Sequence, residues 1–69
     1  MKEIKIVTEF IKLDSFLKLC GATQTGGHAK MVIFEGLVKV NGEVCIQRGK
    51  KLREEDIIEF EGKEYKVLK

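Results

Sequence analysis

The dipeptide Asn41-Gly42 constrains this chain more than any other feature. Two short β-prone runs flank it, Leu37-Val38-Lys39-Val40 and Glu43-Val44-Cys45-Ile46. A two-residue connection between such runs calls for a type I′ turn, whose two central positions both take positive φ, and Asn-Gly is the pair that does so most cheaply. A lone hairpin is marginal in water, so the rest of the chain must supply what packs against it.

The flanking sequence supplies both helices and strands. Lys2 to Thr8 alternates in period two, with Ile4, Ile6 and Thr8 on one side and Lys5 and Val7 on the other, which predicts a first strand. Leu13, Phe16, Leu17 and Cys20 follow the helical spacing i, i+3, i+4, i+7, with Lys12 and Lys18 off that stripe. Asp14 is the expected amino-terminal cap of this helix and Gly21 its stop. A second helix is predicted from Thr25, a good N-cap residue, to Glu35, with Ala29, Val32 and Ile33 facing inward and Gly36 closing it. Phe34 lies off this stripe and is expected to extend the core rather than to stack on a base. After the hairpin come a basic loop from Gln47 to Arg53, a strand over Ile57 to Phe60, a turn at Glu61-Gly62 and a return strand over Lys63 to Leu68. The expectation is an α+β domain over residues 1–69, in which two helices pack on a small antiparallel sheet, with no internal linker or repeat.

Size limits what such a domain does. A chain of about 60 residues buries only roughly 60% of the surface its unfolded form exposes, so 69 residues with 43% hydrophobic content build one thin core. A deep cleft between two lobes is not expected, which favours a binding module over an enzyme. Cys20 and Cys45 form no CxxC pair and the chain has a single histidine, so neither a structural metal site nor a cofactor is expected. Both thiols fall among apolar residues and are expected reduced and packed. No apolar run approaches the roughly 20 residues that span a bilayer. The opening Met1-Lys2-Glu3-Ile4-Lys5-Ile6 alternates charge and hydrophobe instead of presenting a signal peptide's apolar block, so the cytoplasm is the expected compartment.

Net charge is only +2, but it is unevenly distributed. From Lys12 to Arg53, eight basic residues stand against three acidic ones; from Glu54 to Glu64, six acidic residues stand against Lys63. A surface that binds a polyanion on one side leaves this asymmetry, and so does ordinary solvation of a small domain.

Two stretches sharpen the choice. Thr25-Gly26-Gly27-His28-Ala29-Lys30 opens the second helix, where unpaired backbone N–H groups favour anions. Glycine there costs helix stability, up to about 1 kcal/mol per residue. Close approach of a phosphate to the N–H groups of Gly26 and Gly27 would account for that cost; so would tight packing or a turn that needs glycine. The spacing is not that of a GxxxxGK[ST] phosphate loop. The second stretch, Arg48-Gly49-Lys50-Lys51 with Arg53, packs four cations into a short loop, suited either to phosphate or guanine-edge contacts or to guarding a sheet edge. His28 lacks a fixed nucleophile partner and no pair of carboxylates stands at a catalytic spacing, so no catalytic residues are assigned.

The ordered combination Lys12-Leu13-Asp14-x-x-Leu17, Gly21, Thr25-x-x-x-Ala29-Lys30-x-x-Ile33-x-x-Gly36-x-Val38-x-Val40-Asn41-Gly42 resembles the S-four, or alpha-L, RNA-binding domain. The resemblance covers roughly Ile11 to Phe60. The start of the second helix and Arg48-Gly49-Lys50-Lys51-Leu52 look most like the small stand-alone bacterial members associated with ribosomes or large-subunit assembly. It implies binding of structured RNA, ribosomal ahead of transfer RNA, by the helix pair and the adjoining loop. Lys12, Thr25 and Lys30 fall at positions where the family has a basic residue, a helix-starting hydroxyl and a second basic residue. Many members carry arginine directly after that hydroxyl; here Gly26 stands there, so the resemblance implies contact through backbone N–H groups at this point. Relatives often join the domain to catalytic modules, whose activities are not expected here.

The expected function is therefore non-enzymatic binding of structured RNA, with a role in ribosome assembly, by a monomer that also meets ribosomal particles. The expected contacts are Lys12, Lys18, Thr25, Gly26, Gly27, His28, Lys30, Arg48, Lys50, Lys51 and Arg53. They are expected to gather beside the glycine-opened helix tip. The competing expectation is a protein-interaction module that docks an acidic partner through the same basic face, or a basic partner through Glu54 to Glu64.

Overall fold

A computed structural model describes all residues from Met1 to Lys69. The chain runs β1 (Lys2–Lys5), β2 (Ile11–Lys12), α1 (Leu13–Leu19), α2 (Gly26–Phe34), β3 (Val38–Val40), β4 (Glu43–Val44), β5 (Lys51–Leu52), β6 (Ile57–Phe60) and β7 (Lys63–Leu68). Five strands form one sheet in the order β1-β7-β6-β3-β4, and β2 pairs with β5 in a separate two-stranded ribbon. This is the α+β arrangement expected, two helices on a sheet. The sheet is antiparallel from β4 to β7 and becomes mixed at its far edge, where β1 runs parallel to β7 with Ile4 opposite Val67.

The Asn41-Gly42 turn forms with φ of 52° and 86°, both positive as a type I′ turn requires. Asn41 has a second task. Its side-chain carbonyl accepts from the Ile57 N–H at 2.9 Å, and its amide donates to Asp56 at 3.0 Å. The hairpin tip is thus tied to the start of β6, which holds the β3/β6 register of Val38 with Phe60 and Val40 with Ile58.

Alternation places Val38, Val40, Ile58, Phe60, Tyr65 and Val67 on one face of the sheet, where they meet Leu13, Phe16 and Leu17 of α1 and Ala29, Val32 and Ile33 of α2 in a single core. Phe16 and Tyr65 meet edge to face, their ring centres 6.4 Å apart. The opposite face carries Lys39, Glu59 and Glu64 in adjacent register, so two residues of the acidic tract lie on the far side of the sheet from the helices.

Four local expectations change. The first strand ends at Lys5 rather than Thr8: Ile6 still donates to the Leu68 carbonyl and is buried, but Val7 and Thr8 are exposed. Asp14 does not cap α1. The N-cap is Lys12, without a side-chain bond, and Asp14 lies inside the first turn, where one carboxylate oxygen accepts from the Ser15 N–H. Phe34 does not extend the core; it is 61% exposed, because Ala29, Val32 and Ile33 already fill the inward face of α2. The basic loop also contains a strand, β5, whose Leu52 is fully buried. The two thiols are free, Cys20 buried and Cys45 partly so, and burial pushes the Cys20 thiol up from its ordinary pKa. No helix is long and apolar enough to cross a membrane.

Candidate nucleic-acid interface

The ribbon of β2 and β5 is the frame of the site. Ile11 lies opposite Leu52, and Lys12 opposite Lys51. Because successive side chains alternate between faces, Ile11 and Leu52 turn toward the core while Lys12 and Lys51 share the outer face. Phe10 and Arg53, one step further along each strand, fall on that outer face too. The Lys51 ammonium lies 4.9 Å from the centre of the Phe10 ring and the Arg53 guanidinium 5.9 Å from it, both within cation–π range. One half-buried aromatic ring just before β2 therefore meets two cations at the facing strand, residues some forty positions away in sequence.

The loop leading into β5 is fastened to the amino end of α1. The Leu13 N–H donates to the Lys50 carbonyl at 2.9 Å and the Asp14 N–H to the Arg48 carbonyl at 3.1 Å. These loop carbonyls do for α1 what a capping side chain does elsewhere, satisfying its first free N–H groups. Asp14 adds a charge contact, with its carboxylate 3.5 Å from the Arg48 guanidinium. Lys18 stands four residues after Asp14, on the same face of α1 and one turn along.

Lys12, Lys18, Lys50, Lys51 and Arg53 make no ion pair with any carboxylate in the protein. Glu9, close enough to Arg53 to feel its charge, is taken by Lys69. That hydrogen bond and charge hold the Glu9 carboxyl below its ordinary value, with Arg53 a lesser cause, and raise Lys69 in return.

The tip of α2 is a different construction. The Thr25 hydroxyl accepts from the His28 N–H at 3.0 Å, the bond expected of an N-cap. The N–H groups of Gly26 and Gly27 have no acceptor within the protein. Neither glycine has a positive φ. A Cβ on Gly26 would meet nothing within 4 Å, and one on Gly27 would touch only the Thr25 hydroxyl at 4.0 Å. Packing and turn geometry, two of the three reasons for glycine at these positions, are thereby removed. Gly26, Gly27, His28 and Lys30 are all exposed.

The expected site residues thus fall into two groups. Lys12, Arg48, Lys50, Lys51 and Arg53 are joined through β2, β5 and the amino end of α1, with Lys18 on the same helix. Thr25, Gly26, Gly27, His28 and Lys30 belong to the start of α2, and no hydrogen bond or ion pair links them to the first group. Sequence reasoning missed Phe10 and the ribbon itself. The signal available was Lys51-Leu52-Arg53, a single hydrophobe between two cations, which has the pattern of a strand with one buried residue. No cluster of three His, Cys, Asp or Glu residues comes together in the fold.

Likenesses to four known proteins and families bear on this arrangement. RlbA of Bacillus subtilis (strain 168), named a probable ribosome maturation protein, is 48% identical over 59 residues, which cover 86% of this chain and 83% of RlbA. The solution structure of YbcJ from E. coli, reported to reveal an alfa-L motif involved in RNA-binding, matches with a TM-score of 0.77 and 30% identity, over 100% of this chain and 89% of YbcJ. The 30S ribosomal protein S4e from Thermoplasma acidophilum matches with a TM-score of 0.66 and 24% identity, over 86% of this chain and 31% of that protein, a likeness of fold alone. A family model for the S4 domain matches residues 4–68, and with nearly the whole chain so covered, this protein belongs to the S4 domain family.

Proposed function

We propose that this protein is a non-enzymatic binder of structured RNA, ribosomal RNA ahead of transfer RNA, that acts as a monomer in the cytoplasm during maturation of the large ribosomal subunit. One observation carries the reading: Lys12 and Lys51 stand directly opposite each other across the β2/β5 ribbon, with Lys50 and Arg53 beside them and no carboxylate partner. Like charges placed opposite one another weaken a ladder. A polyanion reverses that sign, since each phosphate neutralised releases counterions. The kinship with RlbA and YbcJ supports the same reading, through ribosome maturation in one case and RNA-binding in the other.

In this mechanism Lys12, Arg48, Lys50, Lys51 and Arg53 neutralise phosphates along the ribbon, and Lys18 extends the track along α1. The free N–H groups of Gly26 and Gly27 receive a phosphate at the tip of α2, with Thr25, His28 and Lys30 around it. Such contacts read the shape of a folded RNA and its unpaired loops, not the sequence of a duplex.

The test is the salt dependence of binding to purified ribosomal RNA. Replacing Lys12 and Lys51 by alanine together should weaken binding and make the log–log salt slope shallower by roughly 1.4 to 1.8, the share of two phosphate contacts. An unchanged slope and affinity would remove the ribbon from the interface. In cells, cross-linking followed by sequencing should recover large-subunit RNA. Partners that survive ribonuclease treatment in a pull-down would instead support the acidic-protein reading.

A further inference from the structure

We infer that Phe34 is a stacking platform for an unpaired base of the RNA held at the tip of α2, an inference that rests on the RNA reading above. The helical spacing puts Gly27, Lys30, Met31 and Phe34 in one row at i, i+3, i+4 and i+7 on the outward face of α2. Along about 10 Å of helix axis, this row presents a free N–H donor at Gly27, an ammonium with no ion-pair partner at Lys30, and then two apolar side chains left in water. Met31 is 55% and Phe34 61% exposed.

The fold does not account for that exposure. Ala29, Val32 and Ile33 complete the contact of α2 with the core without help from Phe34. The first turn of α2 carries no acidic residue, and Glu35 projects about 100° further round the helix than Phe34. Donor, cation and aromatic ring in sequence match the components of one nucleotide strand, with phosphate at the charged end and a flat base at the other. A protein segment would need a separate acidic and apolar residue spaced to match this row, whereas a nucleotide carries phosphate and flat ring in one unit. Stacking of bases on an aromatic side chain tolerates any base, so Phe34 adds affinity for an unpaired nucleotide without dictating its identity.

Phosphate contact and stacking respond differently to salt, which separates the two. Phe34→Ala, Phe34→Leu and Phe34→Trp are compared with the unmodified protein and with the Lys12→Ala/Lys51→Ala double variant, using purified ribosomal RNA as the probe over a range of salt concentrations. Phe34→Ala should weaken binding about tenfold while leaving the salt slope unchanged, and Phe34→Leu should do nearly the same. Phe34→Trp should restore binding, and because the chain has no tryptophan of its own, its fluorescence should report stacking directly by quenching as RNA is added. If Phe34→Ala binds normally while the double lysine variant is impaired, the stacking role is overturned and RNA binding stands. If both bind normally, RNA binding through the ribbon falls, and the stacking role with it. Full binding by Phe34→Leu, or a loss seen only with whole ribosomal particles and not with naked RNA, would make Phe34 an apolar protein contact and overturn the proposal.

Discussion

The amino ends of the two helices contrast. At α1, the N–H groups of Leu13 and Asp14 are consumed by the carbonyls of Lys50 and Arg48, and a carboxylate in the first turn reinforces the closure. At α2, only the His28 N–H is capped within the first turn by a side chain, while Gly26 and Gly27 keep theirs free and the first turn holds no acid. A helix end of the first kind is an anchor. It spends its donors on holding a cation-rich loop in place. An end of the second kind leaves its donors free, at a cost in helix stability that glycine makes visible. The cation-rich loop is positioned by the closed end, not by the open one.

The contrast breaks most severely at Leu52, the fully buried residue of β5 that pins the loop beneath Ile11. Leu52→Ala should cost about 3 kcal/mol through lost burial and the cavity left behind. Hydrogen exchange at the Leu13 and Asp14 amides should accelerate more than at Ala29, whose N–H is bound to the carbonyl of Thr25, the N-cap of α2. Equal acceleration at all three would mean that the loop does not close α1 separately from the global fold.

At the open end, Thr25→Ala should cost about 1 kcal/mol in chemical denaturation by releasing the His28 N–H. A loss near zero would show that this end needs no cap at all. Gly26→Ala should act in the opposite direction on stability. With ordinary φ and empty space around it, alanine should stabilise the protein by about 0.5 kcal/mol. RNA affinity should nonetheless fall, because the added methyl group obstructs close approach to the backbone. A variant that is both more stable and binds RNA equally well would leave glycine at this tip without a functional reason.

What was legible in the sequence follows the range of the interactions involved. Asn41-Gly42, the Thr25 cap and the buried stripe Ala29-Val32-Ile33 are set by residues within a turn or two of one another, and each forms as its spacing predicts. The parallel pairing of β1 with β7 depends on residues at opposite ends of the chain, and the alternation of Lys2 to Lys5 says nothing about direction. The two-residue strands β2 and β5 show alternation only in the single Lys51-Leu52-Arg53 step, too brief to set a strand apart, so the ribbon that organises the cations lay hidden in what reads as a loop. Asp14 reads as a cap because caps are usually local; here the acceptors come from residues 48 and 50, which no local pattern can announce. Phe34 reads as core because a large aromatic residue usually is, and only the completeness of the α2 stripe shows that no room inside remains.

An effect on stability as small as that of Gly26→Ala belongs to Asp14, and the sign of its effect on binding decides what the closed end is for. Asp14→Asn keeps the shape and an acceptor for the Ser15 N–H but removes the charge facing Arg48 and the amino end of α1. Arg48 is half exposed and the contact is 3.5 Å long, so solvent screens it and the lost stability should be about 0.5 kcal/mol. The effect on RNA binding separates two roles. If Asp14 merely shields Arg48 in part, removing its charge strengthens the phosphate contact Arg48 makes, affinity rises, and the salt slope steepens by less than roughly 0.9, the share of one whole phosphate. If Asp14 aims Arg48 at the RNA, affinity falls despite the gain in net positive charge. The backbone bonds from Leu13 and Asp14 already fix the loop without help from the carboxylate. The expected outcome is therefore the first, a slightly less stable protein that binds RNA more tightly, measured by denaturation and by titration at several salt concentrations.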